Sequence, residues 1–225
     1  MSTRPPGALR RIERDLRLLA RNLKADYFAH GAWQARSRQQ KRDWEAAGKV
    51  DPPPHMIKEE VVRAAAQTNG IRTLVETGTL HGDMIAAVAG DFDRVYSIEL
   101  SRELFWLARL RFLARRRVRL VRGDSSEKIQ TLLDRIDEPC VFWLDGHYGG
   151  GIMAKGKTVS PILEELSAIM AHRVRTHVVL IDDAGMFERG TGDPPSLAAL
   201  AELVKTSRPA SSFVVQDNII RVTLS

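Results

Sequence analysis

The sequence predicts an α/β protein built on a doubly wound, mostly parallel sheet. Short, continuous apolar runs such as "IRTLVETG", "DRVYSIEL", "CVFWLDGH" and "HVVLIDD" recur between stretches of helical periodicity. Strands that carry no polar alternation are strands covered by helices on both faces. The last two runs, "SSFVVQ" and "IIRVTLS", are separated only by Asp217 and Asn218, a spacing that permits an antiparallel hairpin. A chain of 225 residues with 44% hydrophobic content is long enough to bury one sizeable core.

The N-terminal arm stands apart. Residues 1–50 hold 12 Lys and Arg against 5 Asp and Glu, whereas the rest of the chain is nearly balanced. Leu9, Ile12, Leu16, Leu19 and Leu23 advance in steps of three and four, which lines them along one side of a helix. Such a stripe packs on its own domain or forms a homodimer contact. A second helical stretch carries Trp33 and Trp44, and "DPPPH" at Asp51–His55 then breaks the helix, because proline removes amide donors and fixes φ. The division expected is therefore a basic helical extension with a proline linker over residues 1–54 and a main domain over 55–225. No apolar run reaches the roughly 18 residues of a membrane span, and "MSTRPPGALRRIERD" has no apolar leader segment, so the expected compartment is the cytoplasm. The single cysteine, Cys140, lies in a strand pattern and offers no disulfide.

In order after the linker come a strand in "IRTLVETG", a helix in "GDMIAAVAG", a strand in "DRVYSIEL" and a helix in "SRELFWLARLRFLARRR" entered at Ser101. A third strand, "VRLVRGD", is followed by a helix around Ile129–Ile136, the fourth strand "CVFWLDGH", a helix around Pro161–Ala171, the fifth strand "HVVLIDD" and the hairpin. Ligands of open α/β sheets bind at the carboxyl ends of the strands. Here those ends read Glu76-Thr77-Gly78-Thr79-Leu80-His81-Gly82, Glu99, Gly123-Asp124-Ser125, Asp145-Gly146-His147 and Asp182-Asp183. Five acidic strand ends make a constellation that no single motif would.

The first turn has two glycines, Gly78 and Gly82, behind a carboxylate, Glu76. A pyrophosphate-binding turn needs a G-x-G-x-x-G run and no negative charge ahead of it. A carboxylate suits a positively charged ligand instead. With Glu99 ending the next strand, the turn resembles the acid-x-Gly-x-x-x-Gly motif of class I S-adenosylmethionine-dependent methyltransferases, a resemblance that extends over about residues 56–225. It implies a Rossmann-like fold in which Glu76, Thr77, Gly78, Thr79 and Gly82 pass close to the methionine part of the cofactor, with Asp145 also near it. Glu99 then holds the ribose hydroxyls, and Asp124 with Ser125 approaches the adenine. The plain alternatives are a tight turn for the glycines, a helix cap for Asp124 and a solvated strand end for Glu99.

Asp145, Asp182 and Asp183 end two strands that are neighbours in such a fold. Clustered carboxylates repel, and a divalent cation such as Mg²⁺ would relieve the repulsion. "WLDGH" and "LIDDAG" are similar to the paired strand ends of metal-dependent O-methyltransferases, nearest the macrocin O-methyltransferase-like sugar enzymes. This chain departs from them in His147 and in the glycine-rich "HYGGGIMAKGKT". Removing a proton from an acceptor hydroxyl is assigned to His147, with Asp145 beside it; the alternatives are a histidine in a mobile loop or one hydrogen-bonded to Asp145. Lys155 and Lys157 are either contacts for an anionic group on the substrate or solvated loop residues.

Three function classes follow. The first is a cation-assisted O-methyltransferase acting on a hydroxylated small molecule or glycan. The second is an RNA-binding ribose methyltransferase that uses the basic arm on phosphates; the Asn/Asp-Pro-Pro-aromatic tetrapeptide of base-amine methylation is absent at the fourth strand, and "DPPS" at Asp193 lies beyond the fifth. The third is a non-catalytic cofactor-binding module, which the full row of acids disfavours.

Overall fold

Apolar strands that must hide both faces need helices above and below, and the computed structural model has that three-layer arrangement. It describes residues 30–146, 160–188 and 194–225, together with positions 17 and 20. Five parallel strands, β1 (Thr73–Thr77), β2 (Arg94–Glu99), β3 (Val118–Arg122), β4 (Cys140–Leu144) and β5 (Val178–Ile181), are extended by β6 (Ser212–Gln216) and β7 (Ile219–Thr223). The order across the sheet is β3-β2-β1-β4-β5-β7-β6, with β7 antiparallel to both β5 and β6. The Asp217-Asn218 turn takes φ of 53° and 57°, the left-handed pair that a two-residue hairpin of this hand requires.

The helices divide between the two faces as alternation along the strands dictates. Leu74, Val95, Val141, Trp143, Val178 and Leu180 point to one face, where α2 (His55–Asn69), α3 (Asp83–Val88) and α4 (Arg102–Arg111) cover them. Val75, Ile98, Phe142, Leu144, Val179 and Ile181 point to the other, under α5 (Ser125–Leu133), α6 (Ile162–Ala171), the short α7 (Gly185–Glu188) and α8 (Leu197–Ser207). Both core layers run continuously from strand to helix across the sheet.

Ahead of them, α1 (His30–Ala46) rests on α2. Lys41 pairs with Glu60 at 2.6 Å, and the buried Trp44 donates its indole N–H to the Val50 carbonyl at 2.7 Å. The leucine stripe from Leu9 to Leu23 falls outside the described residues. Among the described residues no helix is long and apolar enough to cross a membrane.

One helix differs from the sequence expectation. The run from Ser101 to Arg117 stops as a helix at Arg111, because Phe112 turns into the core and its ring fills the space beside Gly82. Arg111 is itself buried and ties back to the first turn, donating to the His81 carbonyl and to Asp83 Oδ1 at 2.6 Å. The charged "RRR" that follows is turn rather than helix.

Candidate active site

Parallel pairing brings the polar strand ends into one row. Thr77 is level with Leu144, and Leu144 with Ile181, so the next residues, Gly78, Asp145 and Asp182, stand side by side. The backbone continues the ladder for one more step on each strand: Asp145 N–H donates to Thr77 at 3.1 Å and Asp182 N–H to Leu144 at 3.0 Å. Adjacent strands lie about 4.8 Å apart. Asp145 and Asp182 are therefore neighbours by construction, and Glu99 ends β2 on the far side of β1.

The glycine turn after β1 is held from three directions. Gly78 takes φ +82° and Gly82 φ +75°, both left-handed, and a Cβ on Gly78 would run into the Asp145 carbonyl. Glycine is thus needed twice over at position 78, for its angle and for the close approach of the β4 end. Gly78 and Thr79 both donate backbone N–H groups to the Ile98 carbonyl, at 3.0 and 3.3 Å. Thr79 donates its hydroxyl to Ser97 at 2.5 Å, and Ser97 donates to Glu76. Glu76 is thereby turned into the protein at 2% exposure. Burial raises its carboxyl to about 8, against the opposing Ser97 hydrogen bond and helped by the charges of Asp145 and Glu99. Ser97 is a residue that sequence reasoning missed; its signal is a small hydroxyl between Tyr96 and Ile98 in the buried half of β2.

Glu99 is fixed by backbone donors on both sides. Leu80 N–H reaches Oε2 at 2.8 Å and Ser101 N–H reaches Oε1 at 2.7 Å. Burial raises its carboxyl above the ordinary range, while these amides pull it back. Each carboxylate oxygen keeps a further lone pair, so the group remains able to accept from two adjacent hydroxyls. Asp124 caps α5: its Oδ1 accepts from Ser126 N–H at 3.1 Å and from the Ser126 hydroxyl at 2.7 Å. Ser125, beside it, is buried.

Beneath the β1 and β4 ends lies an acid that the sequence pattern alone does not single out. Glu165 of α6 is 1% exposed, and among the described residues neither its Oε1 nor the Thr77 hydroxyl meets a partner in good hydrogen-bond geometry, although the Thr77 and Ser125 hydroxyls lie close by. Burial pushes the Glu165 carboxyl up to about 7, with Ser125 and Thr77 acting the other way. Gly146 sits directly over this group, where a Cβ would lie 3.2 Å from the Thr77 hydroxyl and 3.3 Å from Glu165 Oε1. A signal is present in the helix itself: Glu165 shares the buried face of Ile162, Leu166 and Ile169.

At the β4 and β5 ends the acids converge, but on an ammonium group. Lys58 of α2 donates to Asp182 Oδ2 and lies 3.9 Å from Asp183 Oδ1. Burial opposes the charge on Lys58, yet Asp182, with Asp183 and Asp145 adding their fields, holds it above its ordinary value. The other oxygen of Asp182 accepts from Asp183 N–H at 2.9 Å. Asp183, at φ +53°, and Gly185 are pinned by the hairpin: Asn218 Oδ1 accepts from Gly185 N–H at 2.7 Å and its carbonyl from Ala184 N–H at 2.8 Å. The geometry lends no support to the expected Mg²⁺ on Asp145, Asp182 and Asp183, because the Lys58 ammonium stands against two of these acids. Each Asp182 oxygen already accepts one hydrogen bond from the protein, and the Lys58 ammonium brings a positive charge to the face where an ion would have to approach. Among the described residues no group of three or more acid, histidine or cysteine side chains is disposed to hold a metal ion. His147, Lys155 and Lys157 fall outside the described residues.

No family model matches the chain, and no curated protein matches it. Solved structures do. An O-methyltransferase from Bacillus cereus, in complex with SAH, aligns with TM-score 0.56 at 16% identity, over 84% of this chain and 90% of that one. The methyltransferase PaMTH1 of Podospora anserina, SAH-bound, aligns with TM-score 0.55 at 13% identity over the whole of both chains. The O-methyltransferase TomG of Streptomyces achromogenes, which is involved in tomaymycin synthesis and was solved with SAM, aligns with TM-score 0.53 at 16% identity, over 84% of this chain and 88% of that one. The fold is that of the class I S-adenosylmethionine-dependent methyltransferases. In a fold of this class, the row from Glu99 through Gly78 to Asp145 and Asp182 lies where open α/β sheets take their ligands. The Cys140 thiol plays no part in it: the side chain is buried and burial pushes the thiol far above its ordinary range.

Proposed function

We propose that this protein transfers the methyl group of S-adenosylmethionine to a hydroxyl oxygen of a small molecule. The observation that carries the reading is the pairing of the left-handed Gly78–Gly82 turn with Glu99, whose carboxylate is oriented by two backbone amides and keeps acceptor capacity for a pair of hydroxyls. Glu99 would hold the ribose of the cofactor and Gly78 would let the backbone come close to its methionine part, with Thr77, Thr79 and Glu76 shaping the turn from behind. Asp124 and Ser125 would border the adenine, and Asp145 the transferred group. The bound cofactor supplies a methyl carbon on a positively charged sulfur.

The chain's own contribution is orientation and charge. An in-line displacement needs the acceptor oxygen close to the methyl carbon and its proton removed. The ends of β4 and β5 would seat the acceptor, and His147 is the residue proposed to take the proton at near-neutral pH. A glycan hydroxyl is the narrower form of the same proposal. The O-methyltransferases among the similar structures support the reaction class. Methylation of an RNA ribose is the second reading, favoured by the excess of basic residues over positions 1–50.

Calorimetric titration with S-adenosylmethionine, S-adenosylhomocysteine and NAD tests the proposal, followed by transfer of labelled methyl to a panel of hydroxylated metabolites, sugars and short RNAs. Binding of the first two without the third is the expected outcome. Absence of S-adenosylmethionine binding would overturn it.

A further inference from the structure

We propose that Lys58 is a built-in counter-charge at the acceptor end of this site and occupies the position that a divalent cation would otherwise take. The proposal leans on the methyl-transfer reading only for its effect on turnover; the charge arrangement stands without it. Three carboxylates, Asp145, Asp182 and Asp183, lie at the ends of two adjacent strands, and the Asp182 side chain is 2% exposed. A carboxylate buried that far either keeps its proton or needs a positive partner within hydrogen-bond reach to be charged. Lys58 supplies it from α2, with its side chain only 16% exposed and its Nζ between Asp182 and Asp183.

The lysine is held there by the body of its helix. Ile57, Val62 and Ala66 bury one side of α2 against the sheet. Glu59, one position on, pairs with His55 at 2.9 Å and with Arg63 at 3.2 Å, and Arg63 in turn reaches Asp91 at 2.9 Å and the Ala87 carbonyl at 2.7 Å. Lys58 is therefore delivered on a scaffold tied down at several points rather than on a free loop. An ammonium and a divalent ion compete for the same oxygens, since both require the lone pairs of Asp182. With Lys58 donating to Asp182 Oδ2 and standing 3.9 Å from Asp183 Oδ1, a divalent ion approaching these carboxylates meets a like charge already in place. As a fixed charge, Lys58 orients the Asp182 carboxylate and offsets the mutual repulsion of the acids at the place where an acceptor hydroxyl would sit. It is a positioning residue.

The test is a Mn²⁺ titration of the full chain, followed by electron paramagnetic resonance, on the wild type, Lys58→Met, Lys58→Arg and the double variant Lys58→Met with Asp182→Asn. Lys58→Met is expected to bind Mn²⁺ at least about tenfold more tightly than the wild type, a difference of about 1.4 kcal/mol. Lys58→Arg, which keeps the charge, should behave as the wild type, and the double variant should lose the gain. Should Lys58→Met fail to fold because Asp182 is left buried and unpaired, Lys58→Gln carries the same comparison, with circular dichroism reporting the fold. Tight Mn²⁺ binding by the wild type, or equal affinities in the wild type and the folded neutral variants, overturns the proposal. Failure of methyl transfer with every acceptor would overturn the proposed reaction instead, whereas the metal titration alone decides the charge arrangement.

Discussion

Ser97 of β2 donates its hydroxyl to the Glu76 carboxyl of β1 and accepts from Thr79 in the turn that follows, so one buried serine couples the acid to the glycine turn. The same burial that makes this bond strong makes the charge on Glu76 costly.

Glu76 should therefore weaken the fold as pH rises. Its carboxyl is raised from an ordinary 4.5 to about 8. A raised group contributes its full stability below the ordinary value and loses it as pH climbs through the folded value. Glu76→Gln keeps the hydrogen bond in neutral form, so it should equal the wild type near pH 4.5 and exceed it by a few kcal/mol above pH 8. Urea denaturation at pH 5 and pH 8.5 measures the gap; parallel curves for the two proteins would show that Glu76 is not buried as described.

Glu99→Ala should cost S-adenosylmethionine affinity. Hydrogen bonds to a charged acceptor are worth roughly 1.5–3 kcal/mol, which is about ten- to a hundredfold in dissociation constant. Calorimetry on the variant, with circular dichroism to verify folding, gives the number. An unchanged constant removes Glu99 from the cofactor site.

Gly78→Ala should damage fold and binding together. The residue sits at φ +82° and an added Cβ meets the Asp145 carbonyl, so the turn must move. Left-handed backbone strain alone is worth about 1–3 kcal/mol. The thermal midpoint should drop by several degrees and cofactor affinity should fall with it. Gly90→Ala, where an added Cβ meets nothing within 4 Å, is the matched control and should change neither.

The paired histidines behind β4 should make the protein acid-sensitive. His177 Nδ1 accepts from Cys140 N–H at 3.0 Å, and its Nε2 faces His172 Nδ1 at 2.8 Å. Burial, with the charges of His172 and Arg208, lowers His177 from an ordinary 6.5 to about 4. Its neutral form is the one the fold wants, so its contribution is complete above 6.5 and is lost as pH falls toward 4. Between pH 7 and pH 5 that amounts to about 2 kcal/mol. The loss over that interval should be smaller by this amount in His177→Gln than in the wild type, which is read from denaturation curves at the two pH values.

Truncation tests the division of the chain proposed at residue 54. Removing residues 1–50 takes away Lys41 and the buried Trp44, so the thermal midpoint should fall by a few degrees. S-adenosylmethionine affinity should stay within about twofold, since the apolar strands and their helices begin at His55. Failure of the shortened chain to fold would make the arm part of the core.

What can be read from the sequence is whatever local pattern determines. Strand ends are legible at Glu76, Glu99, Asp145 and Asp182 because buried parallel strands are apolar until they leave the sheet, and the hairpin is legible because Asp217-Asn218 leaves room for nothing else. Lys58 is not. It stands 124 residues from Asp182, and only the sheet order brings α2 over the β5 end. The length of α4 escapes local pattern for a related reason: "ARRR" has helical propensity, but Phe112 gains more by packing on Gly82 than the helix gains by another turn. Glu165 is visible as an acid on an apolar helix face, and what hides it is that acids in a helix are usually solvated.

Asn218 gives the hairpin a hold on the far end of the site. Its side chain and carbonyl fasten Gly185 and Ala184, the residues just past Asp183, from a turn that lies three strands from β1, roughly 14 Å along the sheet. On the proposed reading, the residues assigned to the methyl donor and those assigned to its recipient are thus governed by separate segments of chain. A lineage is free to lengthen or retype the hairpin and re-aim Asp183 while Gly78 and Glu99 stay as they are. If the proposed function holds, that two-residue turn is the first place to randomise when redirecting the protein to a new acceptor, because it can move the β5 end without touching Gly78 or Glu99.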